Sequence, residues 1–388
     1  MTEEPKESGP VSARTGAVGP REAARLVGEA PGPTLIAVGG IHGNEPGGVE
    51  AALRCVARMR AVRTVGEVVV FRGNMGGLAQ KKRYHVRDLN RVWREATVAR
   101  LEGKARAELD PEEVEQVELL AAIRGAIARA RGQVYLVDLH TTSAAGVPFV
   151  IFGDTLPQRR FVRPLPLPLV IGLEEQVDGV LAEYWTRQGC ITFSVEGGQH
   201  DDPKSVDNLE ATLILAAEAA GLFAKGALDT RADYKLLEGR RGHLPPVMEV
   251  VERHAITADD GFKMAPGFRN LDHARKGQLL ASDKNGELRA HEDGIVILPL
   301  YQAQGNDGFF WGRKVSEARL RASERIRELH LDRVLRFLPG VTRDKHHPSR
   351  LLVDRRIARL YPLDVFHVFG YRRFREHGDF LAVERQPG

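Results

Sequence analysis

The stretch Gly39-Gly40-Ile41-His42-Gly43-Asn44-Glu45-Pro46-Gly47-Gly48 constrains this chain more than any other. The apolar run before it, Thr34-Leu35-Ile36-Ala37-Val38, reads as a buried strand. After it, Val49, Ala52, Leu53, Val56 and Met59 fall at helical spacing. A strand therefore turns into a helix through a glycine-rich loop, at the strand end where open α/β sheets build their sites. His42 and Glu45 stand three residues apart, so one turn can aim an imidazole and a carboxylate at one point. They would be two members of a His/Glu/His zinc set that leaves a fourth position open. The same loop can also be a turn that only lets strand and helix pack. A phosphate-cradling loop would need Gly-Lys-Ser/Thr or Gly-x-Gly-x-x-Gly, and both are missing here.

Other strand ends carry matching chemistry. Glu67 to Phe71 reads as a strand, and a polar segment, Lys81 to Arg91, follows it. There Arg83, Arg87 and Arg91 beside Asn90 suit an anionic ligand, because guanidinium forks match carboxylates, although a solvated basic loop has the same composition. Val134 to Val137 runs into Asp138-Leu139-His140-Thr141-Thr142. An acid two residues before a histidine can fix its ring, which makes His140 the natural third ligand; the alternative is a capping Asp and a core His. Ile191 to Val195 runs into Glu196-Gly197-Gly198-Gln199-His200. Glu196 suits a general base, or else caps a helix or pairs with a cation.

Between these pieces the pattern predicts helices over residues 111–131, 174–188 and 205–222, a strand over 148–152, and an extended surface loop over 163–169. A chain of 388 residues is expected to hold two domains, or one with extensions. Residues 1–30 read as a disordered tail rich in Gly, Ser, Pro and Glu, without the apolar core of a signal peptide, so a cytoplasmic protein is expected. Residues 31–228 form the expected catalytic domain, and 229–314, with short apolar runs between turns, a β domain covering the cleft. Residues 315–388 form a basic extension of unassigned role that opens with an Arg-rich amphipathic helix. The net charge of +4 is concentrated there: residues 313–388 hold 18 Lys and Arg against 10 Asp and Glu. No aromatic-basic motif accompanies that charge, so a solvated helix face is expected rather than a nucleic-acid partner. Two cysteines, Cys55 and Cys190, exclude a disulfide framework. No run is apolar for long enough to span a membrane.

Four pieces in order, Gly40 to Glu45, Arg83-Tyr84 with Asp88-Leu89-Asn90-Arg91, Asp138 to Thr141, and Glu196-Gly197-Gly198, resemble the succinylglutamate desuccinylase/aspartoacylase family. The resemblance covers roughly residues 33–312. It implies an α/β fold of the zinc carboxypeptidase type, with a mixed, mostly parallel sheet flanked by helices and a smaller appended β domain; the tail is expected to be helical. It further implies one Zn2+ per chain on His42, Glu45 and His140, with Glu196 as general base and acid. Arg83 would polarise the scissile carbonyl, and Asn90 and Arg91 would hold a substrate carboxylate. The implied activity is removal of an acyl group from an N-acyl amino acid or a similar small amide, by a chain that could form homo-oligomers. A zinc carboxypeptidase for short peptides, or a non-catalytic zinc-binding protein, would share the fold. Some family members add a substrate arginine shortly before the catalytic Glu; only Arg187 stands near that place, which leaves aspartate-type specificity open.

Overall fold

Leu35 and Ala37 pack into one hydrophobic cluster and Ile36 and Val38 into another, so the strand carrying them is buried on both faces. Val68 and Val70 against Val69 and Phe71 repeat that division on the next strand. Such continuous apolar runs belong to parallel strands covered by helices on both sides. The helices Gly47–Met59 and Pro203–Ala220 cover one face, and Pro111–Arg129 and Leu181–Arg187 the other. The structure, a computed structural model, describes residues 19–347, 349–358 and 363–385.

The strands in chain order are β1 (Glu22–Val27), β2 (Thr34–Gly39), β3 (Glu67–Arg72), β4 (Val134–Thr142), β5 (Phe149–Ile151), β6 (Leu169–Ile171), β7 (Ile191–Gln199) and β8 (Val247–Ala255). Then come β9 (Lys263–Met264), β10 (Asp272–Ala274), β11 (Leu279–Asp283), β12 (Gly286–Arg289), β13 (Gly294–Ile297) and β14 (Asp307–Lys314). One sheet of 11 strands has the order β1-β3-β2-β4-β7-β5-β6-β8-β14-β13-β10. β3, β2, β4 and β7 pair in parallel at its centre, while β1 and β5 pair antiparallel to β3 and β7. The mixed sheet flanked by helices is thus the expected fold class.

Several local readings need correction. Glu22–Val27 lies inside the segment read as a disordered tail, yet it forms the edge strand β1. Its alternation is weak because one edge strand buries little. The Pro/Leu stretch read as a surface loop has Leu165 and Leu167 buried, and its last residue, Leu169, opens β6. The helix expected over 174–188 is two, Leu173–Gln176 and Leu181–Arg187, broken at Gly179. Gly179 has φ +76°, and a Cβ there would lie 2.4 Å from the Arg91 carbonyl oxygen, so this break seats the turn that carries Arg91. The segment after the catalytic strands is not a separate layer: β8 pairs in parallel with β6, and β14, β13 and β10 extend the same sheet. Within this segment β12, β11 and β9 form a small sheet of their own.

The tail begins with the expected helix, at Glu317–Glu328, but continues into a four-stranded sheet. Its strands are β15 (Val341–Arg343), β16 (Arg350–Asp354), β17 (Tyr371–His377) and β18 (Phe380–Arg385), in the order β15-β16-β18-β17. Asp154, fully buried, pins the tail to the sheet. Its carboxylate accepts from Arg159 at 2.6 Å, from Arg327 at 2.9 Å and from Arg372 at 2.7 Å. Two of those arginines belong to the tail. The basic surplus of this segment is therefore partly a buried clamp and not only a solvated face.

Candidate active site

β2 ends level with β4, Gly39 opposite Leu139, so the loop after β2 opens beside His140. On the other side His140 is level with Glu196 of β7. Gly43 lets the loop close on the helix Met75–Gln80, since a Cβ there would lie 1.9 Å from the Gly77 backbone. His42, Glu45 and His140 are each at most 4 % exposed, and one ligand atom from each lies within 4.8 Å of the others.

Hydrogen bonding decides which ring nitrogens face the centre. His42 Nε2 lies 3.0 Å from Asp88 Oδ1, and His140 Nε2 lies 2.8 Å from Asp138 Oδ2. A carboxylate only accepts, so each Nε2 donates to its aspartate, and a cation bound between the rings and Glu45 would take the lone pair of each Nδ1 in place of a proton. Those two Nδ1 atoms face Glu45, at 2.9 Å from Oε1 and 3.1 Å from Oε2. Burial favours the neutral Glu45 carboxyl, but His42 and His140 outweigh it and hold the group well below the usual carboxylate range. Burial likewise opposes a charge on His140, but Asp138 and Glu45 push it well above its ordinary value. Carboxylates that favour a proton at this point also favour a metal cation, and two imidazoles with one carboxylate make a suitable donor set.

Arg83 donates to Asp88 Oδ2 at 3.0 Å and reaches Glu45 Oε1 at 3.4 Å, so it is fixed beside the cluster. Asn90 accepts from Leu181 N–H at 2.7 Å through Oδ1, while its Nδ2 lies 3.3 Å from His140 Nε2 and 3.4 Å from Asp138. Arg91 donates to Asp307 of β14 at 2.7 Å, and its buried Nε has no partner among the described residues. Glu196 lies in a cavity with Arg83, Asn90 and Arg91, 8 % exposed, and its Oε2 has no hydrogen-bond partner among the described residues. Burial, helped by Glu45 and Asp138, pushes its carboxyl up to about 8, with His140 and Arg83 pulling the other way.

All seven residues singled out from the sequence meet in this cavity. Arg187 does not line it: its guanidinium reaches Glu183 and Glu384, and Thr186 faces the cavity instead. Sequence reasoning missed Asp307 and Glu174, which also line the cavity and carry no local motif. It quoted His200 without a role. His200 Nδ1 lies 2.7 Å from Thr141 Oγ1, and its Nε2 lies 3.1 Å from Gln302, tying the end of β4 to the segment between β13 and β14. A second cluster, Glu249, Asp364 and His367, has metal-like spacing, but Arg313, Arg319 and Arg372 already neutralise it.

Residues 31–218 match the succinylglutamate desuccinylase/aspartoacylase catalytic domain. No curated protein sequence matches the chain. Among solved structures, the succinylglutamate desuccinylase/aspartoacylase from Rhodobacter sphaeroides is similar, at 17% identity and TM-score 0.55, over 76% of this chain and 88% of that one. Succinylglutamate desuccinylase from Vibrio cholerae has 13% identity and TM-score 0.54, over 75% and 85% of the two chains. The ectoine utilization protein EutE (DoeB) from Ruegeria pomeroyi, solved with product bound, has 19% identity and TM-score 0.53, over 74% and 87%. At these identities the likeness is one of fold. With the domain match on that fold, residues 31–218 are identified as a succinylglutamate desuccinylase/aspartoacylase catalytic domain.

Proposed function

We propose that this protein is a zinc-dependent deacylase that removes the acyl group from an N-acyl amino acid or a similar small amide bearing a carboxylate. One observation carries the reading. Two histidine Nδ1 atoms converge on Glu45, each ring backed by its own aspartate, with the unpartnered Glu196 in the same cavity. His42, Glu45 and His140 would hold the zinc. Zinc bound there supplies Lewis acidity, which activates water and polarises a carbonyl.

The chain's own groups do the rest. Glu196 takes the proton of the attacking water and returns it to the leaving amine; a carboxyl raised to about 8 by burial suits both transfers near neutral pH. Arg83, held by Asp88, donates to the developing oxyanion, a contribution typically of about 2.7–4 kcal/mol. Asn90 acts through its neighbours, keeping His140 and Asp138 in place. Arg91 offers Nε to a substrate carboxylate. The segment from Leu298 to Asp307 contributes several lining residues and narrows the cavity, which favours small substrates over peptides. The name of the domain family, a desuccinylase with an aspartoacylase, supports deacylation.

The test is a panel of N-acetyl and N-succinyl amino acids and of tri- and tetrapeptides, offered to the zinc-loaded protein. Amino acid release from at least one N-acyl compound, well above that from any peptide, is expected. Equal efficiency on the peptides would point to a carboxypeptidase, and no hydrolysis at all to a binding protein.

A further inference from the structure

β5 and β6 run opposite to β7, with Phe149 level with Glu196 and Ile151 level with Ser194. The end of β6 therefore lies back from Glu196, toward the start of β7. The helix Leu173–Gln176 follows β6 directly, and Glu174 lines the cavity from it. The cavity thus has an inner end, back along β7 from Glu196, and its lining includes Glu174 together with Thr186, Thr192 and Ser194.

Most polar groups at this end are spent on one another. Gln158 Nε2 donates to Thr192 O at 2.9 Å and to Thr186 Oγ1 at 3.2 Å, and Glu183 accepts from Arg187 at 3.2 Å. Glu174 differs. It is 7 % exposed, and neither carboxyl oxygen has a hydrogen-bond partner among the described residues. Its neighbour Glu175 has the opposite fate, pairing with Arg372 at 2.9 Å and His367 at 3.1 Å. Arg372 of the tail also attracts Glu174 through space, but it makes no ion pair or hydrogen bond with it among the described residues. The two arginines lining the cavity, Arg83 and Arg91, are held by Asp88 and Asp307. Buried glutamates are almost always paired, and an unpaired one in a cleft is the mark of a group that meets a ligand.

We propose that Glu174 forms a subsite for the ammonium group of a cationic substrate, at the inner end of the cavity. The inference rests on the deacylase reading for the word substrate, but the subsite stands on its own geometry. Burial, with Glu175 adding to it and Arg372 opposing it, pushes the Glu174 carboxyl up to about 8, so an arriving ammonium would draw it into the charged form. The ligand class is a primary amine on a short alkyl chain, in either the amino acid half or the acyl half of the amide.

Two isosteric pairs test this: Nα-acetyl-L-ornithine against Nα-acetyl-L-norleucine, and N-(5-aminopentanoyl)glycine against N-hexanoylglycine. The zinc-loaded wild type is expected to prefer the ammonium member of at least one pair by about tenfold or more in kcat/KM, the size of one charged hydrogen bond. Glu174→Gln, nearly isosteric, is expected to erase most of that preference. A wild type that favours neither ammonium compound overturns the subsite, as does a preference that survives Glu174→Gln; the latter is also the result for a protonated Glu174 that only donates to a carbonyl. Calorimetry with free L-ornithine and L-norleucine gives a readout independent of turnover. If no N-acyl compound is hydrolysed, the deacylase reading falls, and ornithine binding lost in Glu174→Gln would still uphold the subsite. Equal binding of the two amino acids would overturn it.

Discussion

Arg91 and Asp307 join the two halves of the cavity wall through a 2.7 Å ion pair, one from the turn after β3 and the other from the start of β14. Arg253 grips the other oxygen of Asp307 at 2.5 Å. The guanidinium expected to read a substrate carboxylate therefore already holds an internal one. A substrate carboxylate must share Arg91 through its unpartnered Nε or displace Asp307. Asp307→Asn should then lower KM for an N-acyl amino acid, because a competing charge is gone, while its carboxamide analogue changes little. Arg91→Ala should lose most of the preference for acid over carboxamide, about tenfold or more at 1.5–3 kcal/mol for a charged hydrogen bond. Steady-state kinetics on the two analogues checks both. If both variants slow both analogues equally, the pair only braces the wall.

Metal affinity should depend on the acids behind the histidines. Asp88 and Asp138 fix the tautomer that points each Nδ1 at Glu45. The chain is expected to bind one equivalent of zinc, and His140→Ala to lose it. Asp138→Asn should weaken binding by about 10–100-fold without removing a donor atom, as outer partners of metal-bound histidines generally do. Elemental analysis and competition with a chelator read these effects. A zinc content far below one equivalent after reconstitution would remove the ligand assignment.

Glu196→Gln should keep zinc and fold yet lose turnover by a factor of about 10²–10⁴, the usual cost of a missing general base. The amide fits the same space but cannot take a proton. Zinc content measured beside single-turnover rates separates this from a collapsed site, and near wild-type turnover in a zinc-loaded variant would give the base another identity.

The cluster of His42, Glu45 and His140 was legible in the sequence because each member sits within a few residues of an apolar strand, so strand ends located them. Glu196 came the same way, whereas Arg83 lies 11 residues past β3 in a polar segment and came from the family resemblance. Asp307 and Glu174 were not legible: Asp307 reaches Arg91 across 216 positions, and Glu174 matters only because nothing pairs with it. No local pattern reports a distant partner or the lack of one. β6 was hidden by prolines that ordinarily mark loops, although its three residues need few ladder bonds. The tail's four strands were hidden by the charges of a basic segment, some of which are spent inward on Asp154 and Glu249.

The last prediction concerns how that tail stays docked as pH changes. His367 lies 3.1 Å from Glu175 and 3.1 Å from Glu249, with Asp364 at 3.9 Å, so three carboxylates face one ring. Burial disfavours its charged form and Arg372 repels it, but Glu175 and Glu249 prevail and hold His367 above its ordinary value. A histidine raised in the folded state binds its proton more tightly there than in the unfolded chain. Its stabilisation is complete below the unfolded value of about 6.5 and is lost as pH rises through the higher folded value. Wild type should therefore lose stability between neutral and alkaline pH more steeply than His367→Asn, which cannot titrate. The gap between them, on the scale of one or two charged hydrogen bonds at about 1.5–3 kcal/mol each, should be widest near pH 6 and narrow toward pH 9. Melting temperatures of both proteins across that range supply the measurement, and the comparison cancels every other titrating group. A gap that stays constant with pH would mean that His367 keeps one protonation state throughout and that Asp154, with Arg327 and Arg372, holds the tail without it.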